Sequence, residues 1–169
     1  MVMSAPSLDR GHLTTLDSVF RVSDRPRRPA DFTLVLQLDN VPDVEGLRDG
    51  ARSARNQYPT TGSYIDGKRW VRFAEPDPGV TVFDANAGAT VDEAIEAFID
   101  RPFDPRHQVP VKQLAIVDGT GGGATLVTRF HHAAADYLSA RLWLGHQLGV
   151  AFGKEDRVAG VSPFRELSL

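Results

Sequence analysis

The chain has 169 residues and a mass of 18.5 kDa, enough for a single domain with a real core. With 22 acidic against 19 basic residues and a net charge of −3, it carries no basic stripe of the kind that binds nucleic acid. It has no cysteine, which excludes disulfides, a thiolate nucleophile and thiolate metal ligands, and no apolar run approaches the ~20 residues that span a bilayer. The segment from Met1 to Asp9 lacks the blocks of a secretory signal, so a cytoplasmic protein is expected.

In chain order, His12 to Val22 reads as a short amphipathic helix with Leu13, Leu16, Val19 and Phe20 on one side, capped by Thr14 or Thr15. Asp24 to Pro29 reads as a proline-marked, solvated loop whose three arginines could alternatively meet a phosphate. Phe32 to Leu38 has apolar residues at every second position and predicts a half-buried strand. Pro42 to Gln57 predicts a helix with Val44, Leu47, Ala51 and Ala54 at helical spacing, ended by Tyr58-Pro59. Ser63 to Val71 reads as a hairpin turning at Asp66-Gly67. A strand follows at Val80 to Phe83. Thr90-Val91-Asp92-Glu93 has the form of a capping box opening a helix to about Asp100.

After a turn at Arg101 to Pro105 come a strand from Val111 to Val117, a glycine-rich connection from Asp118 to Gly123, and a strand from Ala124 to Phe130. That connection lacks the following lysine of a phosphate loop, so a hairpin loop is expected. Tyr137 to about Phe152 predicts a helix with Leu138, Leu142 and Leu148 on one face. Strands and helices without strict alternation predict an α+β fold, a mixed and mostly antiparallel sheet flanked by helices.

The chemistry gathers in His131-His132-Ala133-Ala134-Ala135-Asp136, between a strand and a helix. Adjacent side chains on extended backbone point to opposite faces, so one histidine would meet a cavity and the other packing partners. A neutral imidazole can take a proton from a hydroxyl, thiol or amine. Asp136 could orient the ring or act through an arginine. Packing of both histidines is one alternative. A metal site built on His132, Asp136 and a third ligand such as His107 or His146 is another, and would suit a hydrolase; no metal is expected. A serine triad lacks a nucleophile elbow. Solvent-facing roles are expected for His12, His107 and His146.

The His131 to Asp136 segment resembles the HHxxxD motif of the chloramphenicol acetyltransferase-like superfamily, which includes condensation domains, wax ester synthase-like enzymes and polyketide-associated acyltransferases. Pro102-Phe103-Asp104 with Pro110-Val111-Lys112-Gln113-Leu114 resembles that family's PFD-containing run, and Leu13 to Asp17 its entry segment; the likeness covers about residues 12 to 150. It implies acyl transfer from a thioester, carried by coenzyme A or a phosphopantetheinyl carrier protein, to a hydroxyl or amine, with no bound cofactor. It implies His132 as general base, His131 as a structural residue, and Asp136 holding the loop through a salt bridge. Tyr137, where the family usually has glycine, and Ser139, where condensation domains often have serine, are candidate channel residues.

The resemblance further implies that residues 12–152 form an N-terminal lobe, followed by an exit segment or linker over 153–169. A complementary second lobe or self-association would complete the site, a fragment or missing half being the first expectation. The alternative is a non-catalytic docking module on the same fold, holding a carrier protein or acyl chain. In either case an apolar face should be left uncovered.

Overall fold

The computed structural model describes residues 10–24, 30–40, 43–85, 90–101, 103–117 and 123–153. Its elements are β1 (Arg10–His12), α1 (Thr15–Ser23), β2 (Asp31–Leu38), α2 (Val44–Gln57), a 3-10 turn (Pro59–Gly62), β3 (Ser63–Asp66), β4 (Arg69–Arg72), β5 (Val80–Asp84), α3 (Val91–Ile99), β6 (Val111–Val117), β7 (Ala124–His131) and α4 (Tyr137–Ala151). The main sheet has the order β2-β7-β6-β5; β7 is antiparallel to both neighbours, and β5 runs parallel to β6. A second, antiparallel sheet has the order β1-β4-β3. This is the expected α+β architecture with a mixed sheet.

Alternation along the strands divides the core. Val111, Ala115, Leu126 and Phe130 face α2 and α4, meeting Leu47, Ala51, Ala54, Trp143 and Leu144. Leu114, Ile116 and Val127 point the other way, to Phe98 of α3. Covered on both faces, the Leu114–Val117 stretch of β6 reads as a continuous apolar run rather than an alternating one. Each large aliphatic or aromatic side chain so buried stabilises the fold by about 1.5–3 kcal/mol. Against the small sheet, Ile65 and Trp70 pack on Ala133 and Ala134, with Leu13 and Phe20 at the margin.

Local chemistry sets the helix starts. Thr14 caps α1 in a reciprocal box with Asp17, and Thr90 does the same for α3 with Glu93, as the sequence predicts. Three expectations are corrected. The first helix starts at Thr15, because Leu13 N–H bonds Lys68 C=O and His12 pairs with Arg69 in β1. Leu16 and Val19 then face outward and only Phe20 of the helix packs inward. The hairpin turns at Gly67-Lys68, since Asp66 still pairs with Arg69 and Gly67 alone takes a positive φ of 58°. On α4 the buried face is Ala140, Trp143, Leu144 and Gln147, with Leu142 and Leu148 partly covered and Leu138 exposed. Leu138 sits in the first turn, ahead of where α4 meets α2. The Arg25 to Pro29 loop, Pro42, Pro102, most of the glycine-rich connection and residues 154–169 lie outside the described residues. Among the described residues no helix is long and apolar enough to cross a membrane.

Candidate active site

The histidine pair sits where β7 leaves the sheet. Backbone bonds fix both residues: His131 N–H donates to Pro110 C=O at 3.0 Å, and His132 N–H to Ala30 C=O at 2.8 Å. The side chains diverge as strand alternation requires. His131 is fully buried, with Nε2 3.3 Å from Asp24 Oδ2 and Nδ1 accepting the Ala133 N–H at 3.2 Å. With Nδ1 occupied as an acceptor, the ring proton belongs on Nε2, facing Asp24. Burial pushes the His131 pKa down, and Asp24 partly offsets it. His131 is thus a packed, locked residue, braced edge-on by Phe103 at 6.1 Å.

His132 is half-buried. Its ring stacks on Phe20 of α1 with centroids 4.8 Å apart and lies tilted against Phe32 of β2 at 4.6 Å. Packed against these two phenyl rings, the imidazole stays half-exposed at the end of β7. The next residues turn tightly: Ala134 N–H and Ala135 N–H both donate to His131 C=O, and Thr60 Oγ1 donates to Ala134 C=O at 3.1 Å. All three alanines are buried, so the loop packs too closely for larger side chains.

Asp136 does something other than form a salt bridge. It is the N-cap of α4, accepting the Ser139 N–H at 2.7 Å, and no cation among the described residues lies within ion-pair distance. The Ser139 amide, helped by the Ser139 hydroxyl, holds its carboxyl below the usual range. It faces the helix start rather than His132, so it does not orient that ring. Tyr137 occupies the first helical position in ordinary backbone geometry, which glycine is not needed to reach. Its side chain is exposed, with the Arg141 guanidinium 5.8 Å over the ring. Ser139 is half-buried and contributes its backbone amide to the cap.

The other histidines stay apart. His107 is exposed and bonds Asp104 at 3.0 Å, as a surface residue should. His146 is not solvent-facing: it is half-buried between helices, with Nε2 2.9 Å from Ser53 Oγ and Tyr58 edge-on. Among the described residues no three histidine or carboxylate groups converge on a metal position. Sequence reasoning missed the partners that hold the pair, namely Asp24, Phe20 and Phe32. It also missed Asp31, which binds the buried Arg129 at 2.7 Å while Arg129 donates to Phe98 and Arg101 C=O, tying α3 to the sheet edge nearest the motif. The only sequence signal for these was the β2 pattern, which puts Phe32 opposite Phe130 once the strands are paired.

No protein-family model and no curated protein matches the chain. Solved structures do. The X-domain in a complex with OxyB from teicoplanin biosynthesis is 19% identical, with a TM-score of 0.71, over 98% of this chain and 38% of that one. The tallysomycin biosynthesis protein TlmII is 19% identical at TM-score 0.71, over 95% and 43%. The starter condensation domain of rhizomide synthetase RzmA is 15% identical at TM-score 0.68, over 84% and 37%. The chain therefore has the fold seen in condensation domains. It spans 37–43% of these three structures, which fits an N-terminal half.

Proposed function

We propose that the chain is the N-terminal lobe of a condensation-type acyltransferase with His132 as its general base, the site being completed by a second lobe or subunit. The observation that carries this is the asymmetry of the histidine pair in a condensation-domain fold: His131 is buried and locked by Asp24, while His132 is left half-exposed at the strand end. In the reaction, an acceptor hydroxyl or amine gives its proton to His132 as it attacks the thioester carbonyl. The carbon–sulfur bond then breaks, the leaving sulfur takes the proton back from His132, and the thiol of coenzyme A or of a carrier protein's phosphopantetheine arm is released. Such proton transfer accounts for about 10²–10⁴-fold of the rate. The remainder would come from holding acceptor and thioester together.

Exposed apolar residues flank this position. Leu16, Val19 and Val22 on α1 and Tyr137 and Leu138 on α4 stand in solvent, on the two helices adjoining the His132 segment. They support a covering lobe or subunit.

The test is thiol release from an acyl-coenzyme A or acyl-carrier thioester, with the complete assembly and an amine or alcohol acceptor. His132→Ala should lower turnover by about 10²-fold or more, in a variant that unfolding curves show to be still folded under the assay conditions. Turnover unaffected by this substitution would refute the base assignment. A folded assembly that binds carrier protein but never turns over would favour the docking module.

A further inference from the structure

A second cleft lies on the edge of the main sheet, away from His132. One cavity of about 400 Å³ is lined by the 73–81 segment, the 107–109 segment, Phe98, Arg101 and Lys112. Another of about 420 Å³ runs between β5 and α3 over Val82, Phe83, Ala94, Ala97 and Leu114. The two share Thr81, Phe98 and Arg101 as walls, so a charged cup opens into an apolar groove. Each volume lies within the roughly 300–1,000 Å³ typical of small-molecule sites, and apolar lining with a few polar groups is their usual composition.

The cup's lining places Lys112 and Arg101 beside Glu75 and Asp77, and Glu93 stands on the wall of the adjoining groove. No carboxylate among the described residues pairs with Lys112 or Arg101. Directly beneath is Arg55, fully buried and bonded only to backbone: it donates to Asp77 C=O and to Val111 C=O, and its Nε has no partner. Gly79 packs close over it, and a Cβ there would fall 2.8 Å from Arg55 Nη2. The carboxylates on the rim are Glu75 and Asp77, and Asp77 is engaged by the Gly79 N–H at 2.8 Å. Burial pushes the Lys112 ammonium pKa down, with Arg129 and Arg101 adding to that and Asp77 opposing it.

We propose that this cleft binds a long-chain acyl carboxylate, its chain in the groove between β5 and α3 and its head against Lys112 and Arg101. The site is independent of the acyl-transfer reading, because none of its residues touches the histidine motif's open edge.

Titrating the 169-residue chain calorimetrically with dodecanoate below its micellar concentration tests this. Saturable binding is expected, with dodecanol, which lacks the charge, binding at least about tenfold more weakly, the loss that follows from removing one charged hydrogen bond. Lys112→Gln and Ala97→Phe should each weaken dodecanoate by a similar factor, one by removing the head contact and the other by filling the groove. Glu75→Gln should tighten it. Leu16→Ser, on the exposed face of α1, should leave it unchanged, with unfolding midpoints confirming that all variants are folded. No saturable binding, equal binding of dodecanol, or binding lost through Leu16→Ser but not through Ala97→Phe would each overturn the proposal.

Discussion

Replacing Asp136 by alanine and by asparagine separates two roles for the motif aspartate. In the structure it caps α4 through a 2.7 Å bond to the Ser139 amide and ends the turn begun at His131. Removing an N-cap costs about 1 kcal/mol, within a range of roughly 0.5–2. Losing its negative charge at the helix start adds about 0.5 kcal/mol. Asp136→Ala should therefore lose about 1.5 kcal/mol in all. Asp136→Asn keeps an acceptor oxygen and should lose only the charge contribution, about 0.5 kcal/mol. Ser139→Ala keeps the backbone bond and loses only the hydroxyl's contribution, so it should cost less than Asp136→Ala. Urea unfolding at pH 7, with constant slopes, measures all three. The carboxyl's lowered pKa sets the sign with pH. Its contribution is fully present above the unfolded value near ~3.9 and fades as pH falls through the folded one, so the gap between wild type and Asp136→Asn should close in acid. If asparagine proved as damaging as alanine, the cap would be the wrong explanation and an ion pair would have to be sought.

Three other outcomes follow from the geometry. Asp31→Ala strips the carboxylate from the buried Arg129 and should cost about 3–5 kcal/mol in urea unfolding, the penalty of an uncompensated buried charge. Gly50→Ala would gain up to ~1 kcal/mol of helix propensity in an exposed helix. Here the new methyl would stand 2.3 Å from Gln147 C=O, forcing α2 and α4 apart, so the variant should be less stable than wild type despite that gain. His131, its pKa lowered chiefly by burial, favours the neutral ring in the folded state. Stability should be full above the unfolded histidine value near ~6.5 and should decline below it, and His131→Gln should flatten that decline. A midpoint rising between pH 7 and pH 5.5 would contradict the sign.

The sequence alone determined the strands after β1 and the ends of α3, because period-two alternation in β2, the Thr90–Glu93 box and the run of six motif residues are local chemistry. It also determined that His131 and His132 face apart, since extended backbone leaves no other choice. Which of them is buried was a tertiary decision. Asp24 reaches His131 across 107 positions of chain, and Phe20 and Phe32 meet His132 from separate elements, contacts that no window of sequence contains. The parallel pairing of β5 with β6 also came from the assembled fold, as did the burial of His146 between two helices. In these places packing overrides local pattern. The apolar residues of α1 illustrate the limit: their spacing specifies a helix, while the surface that meets Leu16 and Val19 is decided by what lies next to them in space.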